Sequence, residues 1–295
     1  MLDNRSFVKH NVHIGRVDMN RLSLQDRARI LGCLVEGSSM RATTRMCGVS
    51  INTVTKLLID VGTACAAYQD KTLRNLPCKT IQCDEIWSFC YAKAKNVAPE
   101  KEGILGFGDV WTWTAICADT KLVPSYLIGM RTAEYARVFI DDLASRLASR
   151  VQLTTDAHKS YIKAIRSSFG NEIDYAQLVK LYGLPQSYQD AARRYSPAVC
   201  NGAIKTPRIG DPDPDKISTS YVERQNLTMR MSMRRFTRLT NGFSKKIENL
   251  EHAVALHFMH YNFGRIHKSL RVTPAMEAGI SDHVWTLEEI ADLAN

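Results

Sequence analysis

Lys79-Thr80-Ile81-Gln82-Cys83-Asp84-Glu85-Ile86-Trp87-Ser88-Phe89 is the stretch at which the chain stops reading as helix. Up to about Pro77 apolar residues recur at helical spacing, whereas from Lys79 they alternate with the period of two that half-buried strands show. The same alternation returns in VWTWTAIC, from Val110 to Cys117, and in VPSYLIGM, from Val123 to Met130. Three extended runs in succession predict a meander. A helix should follow from Thr132, its capping residue, to about Leu147, because Ala136, Phe139, Ile140, Leu143 and Leu147 fall on one side. A short strand, VQLTT, then stops at Asp156.

Strand-strand-strand-helix-strand is the element order of the RNase H-like fold, an α/β architecture with a mixed sheet and flanking helices. In that topology the first and fourth strands are neighbours. Asp84 lies in the first and Asp156 at the end of the fourth, so their carboxylates should meet at one end of the sheet. A third carboxylate from a later helix would complete an oxygen-ligand site for Mg²⁺ or Mn²⁺. Glu223 is the natural third member, on a helix expected from about Ser218 to Met233. Glu85 should point to the opposite face from Asp84 and serve as an ion-pair or surface residue. Asp109 and Asp119 read as turn acids, and His158 as a structural histidine or one that orients water or phosphate. Trp111 and Trp113 share a strand face and read as core. His252, His257, His260 and His267 lie in or near a helix whose apolar residues Leu250, Val254, Leu256, Phe258 and Phe263 describe packing rather than a zinc site.

Upstream, Ala28, Ile30, Leu31 and Leu34 form a helical stripe that ends at Gly37, with Ser38 and Ser39 ready to cap a second helix from Met40 to Cys47. Gly48 supplies a permissive turn and Ser50 caps a third helix, whose inward face carries Val54, Leu57 and Leu58. ATTRMCGVSINTVTKLL resembles the helix-turn-helix of bacterial DNA-binding proteins. That resemblance implies Asn52, Thr53 and Lys56 at the base edges and phosphates of a major groove.

The net charge of +9 is concentrated. From Tyr221 to Leu250 there are seven Lys and Arg against two acids, and residues 1–80 hold twelve basic side chains against six acidic ones. Such stripes attract a polyphosphate backbone. None of the eight cysteines forms a CxxC pair, so they read as reduced, mostly buried small hydrophobes. No apolar run approaches the roughly 20 residues that span a bilayer, and the first residues lack a secretory apolar core, so a cytoplasmic, bacterial protein is expected, with no membrane partner.

Five blocks in order, DEIWSF, WTWTAI, TTDAHKSY, YVERQNLTMR and FSKKIENLEHAVALHFMHYNF, with the tail RIHKSLRVTPAMEAG, resemble those of insertion-sequence-one family transposases. The resemblance implies a DDE-type catalytic domain in which Asp84, Asp156 and Glu223 hold two divalent ions, Mg²⁺ or Mn²⁺, for DNA cleavage and strand transfer. It further implies double-stranded DNA as partner, both terminal repeats and target, and a homo-oligomer on DNA. Arg230, seven residues after Glu223 on the same helix face, would stand beside the scissile phosphate, with Arg234 and Arg235 as further DNA contacts. Many such relatives carry an amino-terminal cysteine-rich finger where this chain has none. A domesticated DNA-binding regulator and an RNase H-like nuclease are the competing functions. The expected organisation is a tail over 1–21, a helix-turn-helix domain over 22–72, a catalytic domain over 79–265 with an irregular insertion at about 184–216, and a tail over 266–295.

Overall fold

The computed structural model describes residues 21–182, 200–237 and 241–295. The amino-terminal tail and much of the expected insertion therefore lie outside the described residues. Three helices come first: α1 (Leu24–Val35), α2 (Met40–Cys47) and α3 (Ile51–Thr72). Each begins on a serine whose side chain accepts a backbone N–H of the first turn: Ser23 from Asp26, Ser39 from Ala42 and Ser50 from Thr53. Gly48 closes α2 in the left-handed conformation, φ 68°, where a side chain would be strained.

The sheet comprises β1 (Thr80–Cys90), β2 (Gly108–Cys117), β3 (Ser125–Gly129), β4 (Gln152–Thr155), β5 (Asp174–Tyr182) and β6 (Cys200–Ile209), in the spatial order β3-β2-β1-β4-β5-β6. β1 pairs antiparallel with β2, from Ile81 opposite Cys117 to Cys90 opposite Gly108. It pairs in parallel with β4, Cys83 standing opposite Thr155. The neighbouring first and fourth strands match the expectation, and the architecture is a mixed α/β sheet with flanking helices, consistent with an RNase H-like fold. Residues 200–209 were expected to be irregular. They instead form a strand, because β5 has a free edge whose backbone groups β6 satisfies by antiparallel pairing.

Alternation on β1 assigns the two faces. Ile81 and Cys83, with Trp113 and Ala115 of β2, pack toward α4 (Ala133–Arg146) and α5 (Ser160–Phe169). Ile86 and Cys90 pack with Val222 and Met229 of α6 (Ser220–Ser232) and with Leu250, Val254 and Phe258 of α7 (Ile247–Met259). Thr132 precedes α4 without a side-chain capping bond, so the cap expected there is not formed.

The amino-terminal helices are packed onto this unit. Val54, Leu57, Leu58, Val61 and Cys65 of α3 belong to the same buried core as Phe139, Ile140 and Leu153. A β-carbon on Gly62 would lie 2.5 Å from Cβ of His252 on α7, so the missing side chain is what lets the two helices approach. Arg146 ties the end of α3 to α4, bonding Asp70 at 2.7 Å and Asp142 at 2.7 Å. Residues 266–295, read as a tail, carry α8 (Pro274–Glu277) and α9 (Leu287–Asp292). α9 lies against α1, where the Arg27 guanidinium bonds the Ala291 carbonyl and Asn295. Among the described residues no helix is long and apolar enough to cross a membrane.

Candidate metal centre

β1 delivers two adjacent acids, Asp84 toward the α6 face and Glu85 toward α4 and α5. β4 stops at Thr155, so Asp156 leaves the sheet beside them and is not held to either face. One oxygen from each of Asp84, Glu85 and Asp156 lies within 4.8 Å of the others. Asp84 and Asp156 thus meet as expected, but Glu85 joins them, and its expected exclusion is corrected. Strict alternation across the sheet does not separate the two acids where the neighbouring strand has ended.

Glu85 has a side chain with no solvent exposure. Its Oε2 receives both Nε and Nη2 of Arg131 at 3.1 Å, and the buried Tyr161 hydroxyl of α5 hydrogen-bonds the same carboxylate. The Arg131 guanidinium also reaches Asp156 at 3.5 Å and rests on the Trp111 ring, 4.7 Å from its centroid. Burial pushes the Glu85 carboxyl up to about 7. Burial likewise raises Asp84 to about 6, offset by the Glu85 backbone N–H and reinforced by the negative charges of Asp156 and Glu223. Asp156 accepts the His158 backbone N–H at 2.9 Å, and its carbonyl accepts Gln177 at 3.2 Å.

Glu223 sits in the first turn of α6, where the helix dipole favours a negative charge. It is outside the close trio and is held by Lys180 of β5 at 2.5 Å and by the Thr219 hydroxyl at 2.7 Å. Its charge nonetheless acts on Asp84. The helix is docked by two residues that the sequence reading passed over. Gln82 Oε1 accepts the Tyr221 and Val222 N–H groups at 2.8 and 3.3 Å, serving the start of a helix whose Thr219 supplies no side-chain cap. Asn226, one turn beyond Glu223, donates to Asp84 Oδ2 at 2.8 Å. Gln82 lies two residues before Asp84 on a strand and Asn226 three after Glu223 on a helix, so face-sharing was the available signal.

The cluster fits a hard divalent cation, because it gathers three carboxylates whose oxygens lie within 4.8 Å of one another and holds Asp84 and Glu85 at raised pKa by burial and by the repulsion of neighbouring acids. Asp109 is exposed and outside the trio, and Asp119 accepts the Thr80 N–H at 3.1 Å. Trp113 is fully buried, with the His158 ring against its edge at 5.9 Å. No potential metal group among the described residues includes His252, His257, His260 or His267. All eight cysteines are free, five of them buried.

Of the residues expected to touch DNA, Asn52 and Lys56 are exposed, Lys56 pairing with Asp60 at 2.6 Å, and the Thr53 hydroxyl contacts that of Ser50 at 2.9 Å. Arg234 is exposed and Arg230 half-buried. Arg235 turns inward to donate to the Ser244 hydroxyl at 2.6 Å, and burial lowers its pKa to about 10.

No protein-family model matches the chain, and no curated protein matches it. Among solved structures it is similar to a pre-cleavage Mos1 transpososome at 10% identity and a TM-score of 0.21, over 59% of this chain and 61% of that one. It is similar to the Mos1 strand transfer complex at 11% identity and a TM-score of 0.22, over 87% and 78% of the two chains. The chain thus spans about three fifths of the first of these. Likeness at that level fixes neither fold nor activity, so the chemistry has to come from the chain's own residues.

Proposed function

We propose that this protein is a DDE-type DNA transposase, with Asp84, Asp156 and Glu223 as the metal-holding carboxylates of its catalytic domain. The observation that carries the reading is the convergence of Asp84 and Asp156 from adjacent parallel strands, with the Glu223 helix docked above them on Gln82 and Asn226. When bound, Mg²⁺ or Mn²⁺ would supply the charge that stabilises the attacking and leaving oxygens of a phosphodiester. Asn226 holds Asp84 in a fixed orientation, and Lys180 and Arg131 balance the acids. In the cleavage step a water oxygen attacks phosphorus and the 3′-oxygen departs. In the joining step that 3′-hydroxyl attacks a target phosphodiester and a target 3′-oxygen departs.

Residues 22–72 would act as the DNA-reading helix-turn-helix through Asn52, Thr53 and Lys56, while Arg230 and Arg234 contact phosphates beside the catalytic domain. Arg235, bonded to Ser244, would contribute by orienting that segment. The protein would work as a homo-oligomer on its DNA ends.

The test is incubation of purified protein with terminal-repeat DNA, an intact target and Mg²⁺ or Mn²⁺, beside the Glu223→Gln and Asp84→Asn variants. Joined products from the parent and losses of orders of magnitude in both variants, with DNA binding retained, are expected. Cleavage without joining would point to a nuclease. Binding without either reaction would point to a DNA-binding regulator.

A further inference from the structure

We propose that the cleft between the amino-terminal helices and the segment following α6 binds a single nucleotide, with its base innermost and its phosphate at the mouth. The site is separate from the carboxylate cluster, and the inference does not rest on the metal-dependent reading above.

The cleft has a volume of about 860 Å³, within the range of roughly 300–1,000 Å³ that small-molecule sites occupy. One wall is built from the end of α1 and the starts of α2 and α3, the other from residues 233–245 and α7. Its lining is graded from inside to outside. Leu58, Met233, Leu256 and His257 are buried, whereas Arg41, Arg234 and Lys245 are exposed. Among the described residues no Asp or Glu lines the cleft, so the charge at its mouth is of one sign and attracts an anion.

The anionic end of a ligand has a defined place. Ser38 to Arg41 line the cleft, which puts the start of α2 there. The first N–H groups of a helix have no carbonyl within it to bond, and together with the Arg41 guanidinium they suit a phosphate.

The floor suits a base. His257 is 4% exposed, and its Nε2 has no hydrogen-bond partner among the described residues. A buried polar atom without a partner is costly to keep, and a bound polar edge would complete it. Burial keeps the ring neutral, so it can donate or accept. Asn249, which also lines the cleft, offers both a donor and an acceptor, and Phe243 an aromatic ring. A bare phosphate would use none of these groups, and an uncharged ring would leave the cationic mouth without a partner. A nucleotide uses both ends.

Calorimetric titration of the full-length protein in EDTA, which removes any ion able to hold a phosphate at the carboxylates, tests this with thymidine monophosphate, inorganic phosphate and a short oligothymidylate. The mononucleotide or the oligothymidylate should bind at least about tenfold more tightly than inorganic phosphate. Ala253 lines the cleft on α7 and is only partly buried, so Ala253→Phe fills space there without entering the core, and it should cost that ligand about tenfold or more. Arg41→Ala should weaken nucleotide and inorganic phosphate alike. Loss of thymidine monophosphate binding in Ala253→Phe assigns the cleft to a free nucleotide, and a loss confined to the oligothymidylate assigns it to a base of a DNA strand; either upholds the proposal. Parental affinity for both ligands in Ala253→Phe overturns it, as does inorganic phosphate binding as tightly as they do. Should Ala253→Phe not fold, Asn249→Leu decides: weakened nucleotide binding at unchanged phosphate binding supports the proposal, and parental nucleotide binding overturns it. Because no divalent ion is present in these titrations, their failure leaves the metal-dependent reading standing.

Discussion

Asn226 donates a hydrogen bond of 2.8 Å from its side-chain amide to Oδ2 of Asp84, across 142 positions of sequence. That bond joins the helix carrying Glu223 to the strand carrying Asp84, so the acid and its neighbouring helix cannot shift independently. Partners of ligand carboxylates usually carry a ten- to hundredfold share of metal affinity.

Asn226→Leu should accordingly weaken Mn²⁺ binding by about ten- to a hundredfold while leaving the fold cooperative. Calorimetric titration measures it. Parental affinity in this variant would reduce the bond to a docking contact.

Gln82→Leu removes the acceptor of the first two free N–H groups of α6. A loss of about 1–2 kcal/mol is expected, the scale of a lost helix cap, with a fall of several degrees in Tm. Hydrogen exchange at the Tyr221 and Val222 amides should accelerate first. Unchanged protection there would show that α6 does not depend on β1 for its start.

The raised carboxyls make cation binding pH-dependent. Asp84 rises to about 6 and Glu85 to about 7, so the folded protein binds more protons than the unfolded chain between about pH 4 and 7. Their contribution to stability is full below about pH 4 and is lost as pH rises through 6 to 7. A divalent cation relieves that loss by replacing the protons. The gain in Tm on adding Mg²⁺ over chelator should therefore be small at pH 5 and larger at pH 8. An equal gain at both would contradict proton-linked binding.

His257 acts in the opposite direction. Burial, with the positive charges of His260 and Arg265, lowers it to about 3, and its Nε2 has no partner. The folded state keeps it neutral while the unfolded chain takes up a proton below about 6.5. Stability is thus present above pH 6.5 and declines as pH falls toward 3, at about 1.4 kcal/mol per pH unit for this one proton. His257→Phe keeps a ring beside Tyr261 and should flatten that part of the denaturation profile. A parental acid slope would assign the loss to other groups.

Gly62→Ala would improve an exposed helix but here should destabilise by about 1–3 kcal/mol, because the new methyl meets the His252 backbone at 2.7 Å. Chemical denaturation gives the sign directly. A stabilised variant would mean that α3 and α7 separate at little cost.

What the sequence determined by itself was set by neighbours in the chain. Alternation in Lys79–Phe89 located β1, serines ahead of apolar periods located the starts of α1, α2 and α3, and the positions of Asp84 and Asp156 followed from the strand order. These signals are local, since side-chain periodicity and capping act within a few residues. The folded chain alone reveals that Glu85 joins Asp84 and Asp156, that Lys180 holds Glu223, and that Gln82 and Asn226 dock α6. It also decided that β6 completes the sheet and that α3 lies directly on α7 through Gly62. Each of these is a meeting of residues far apart in the chain. Their distances depend on how packed elements settle against one another, and no window of sequence contains both partners.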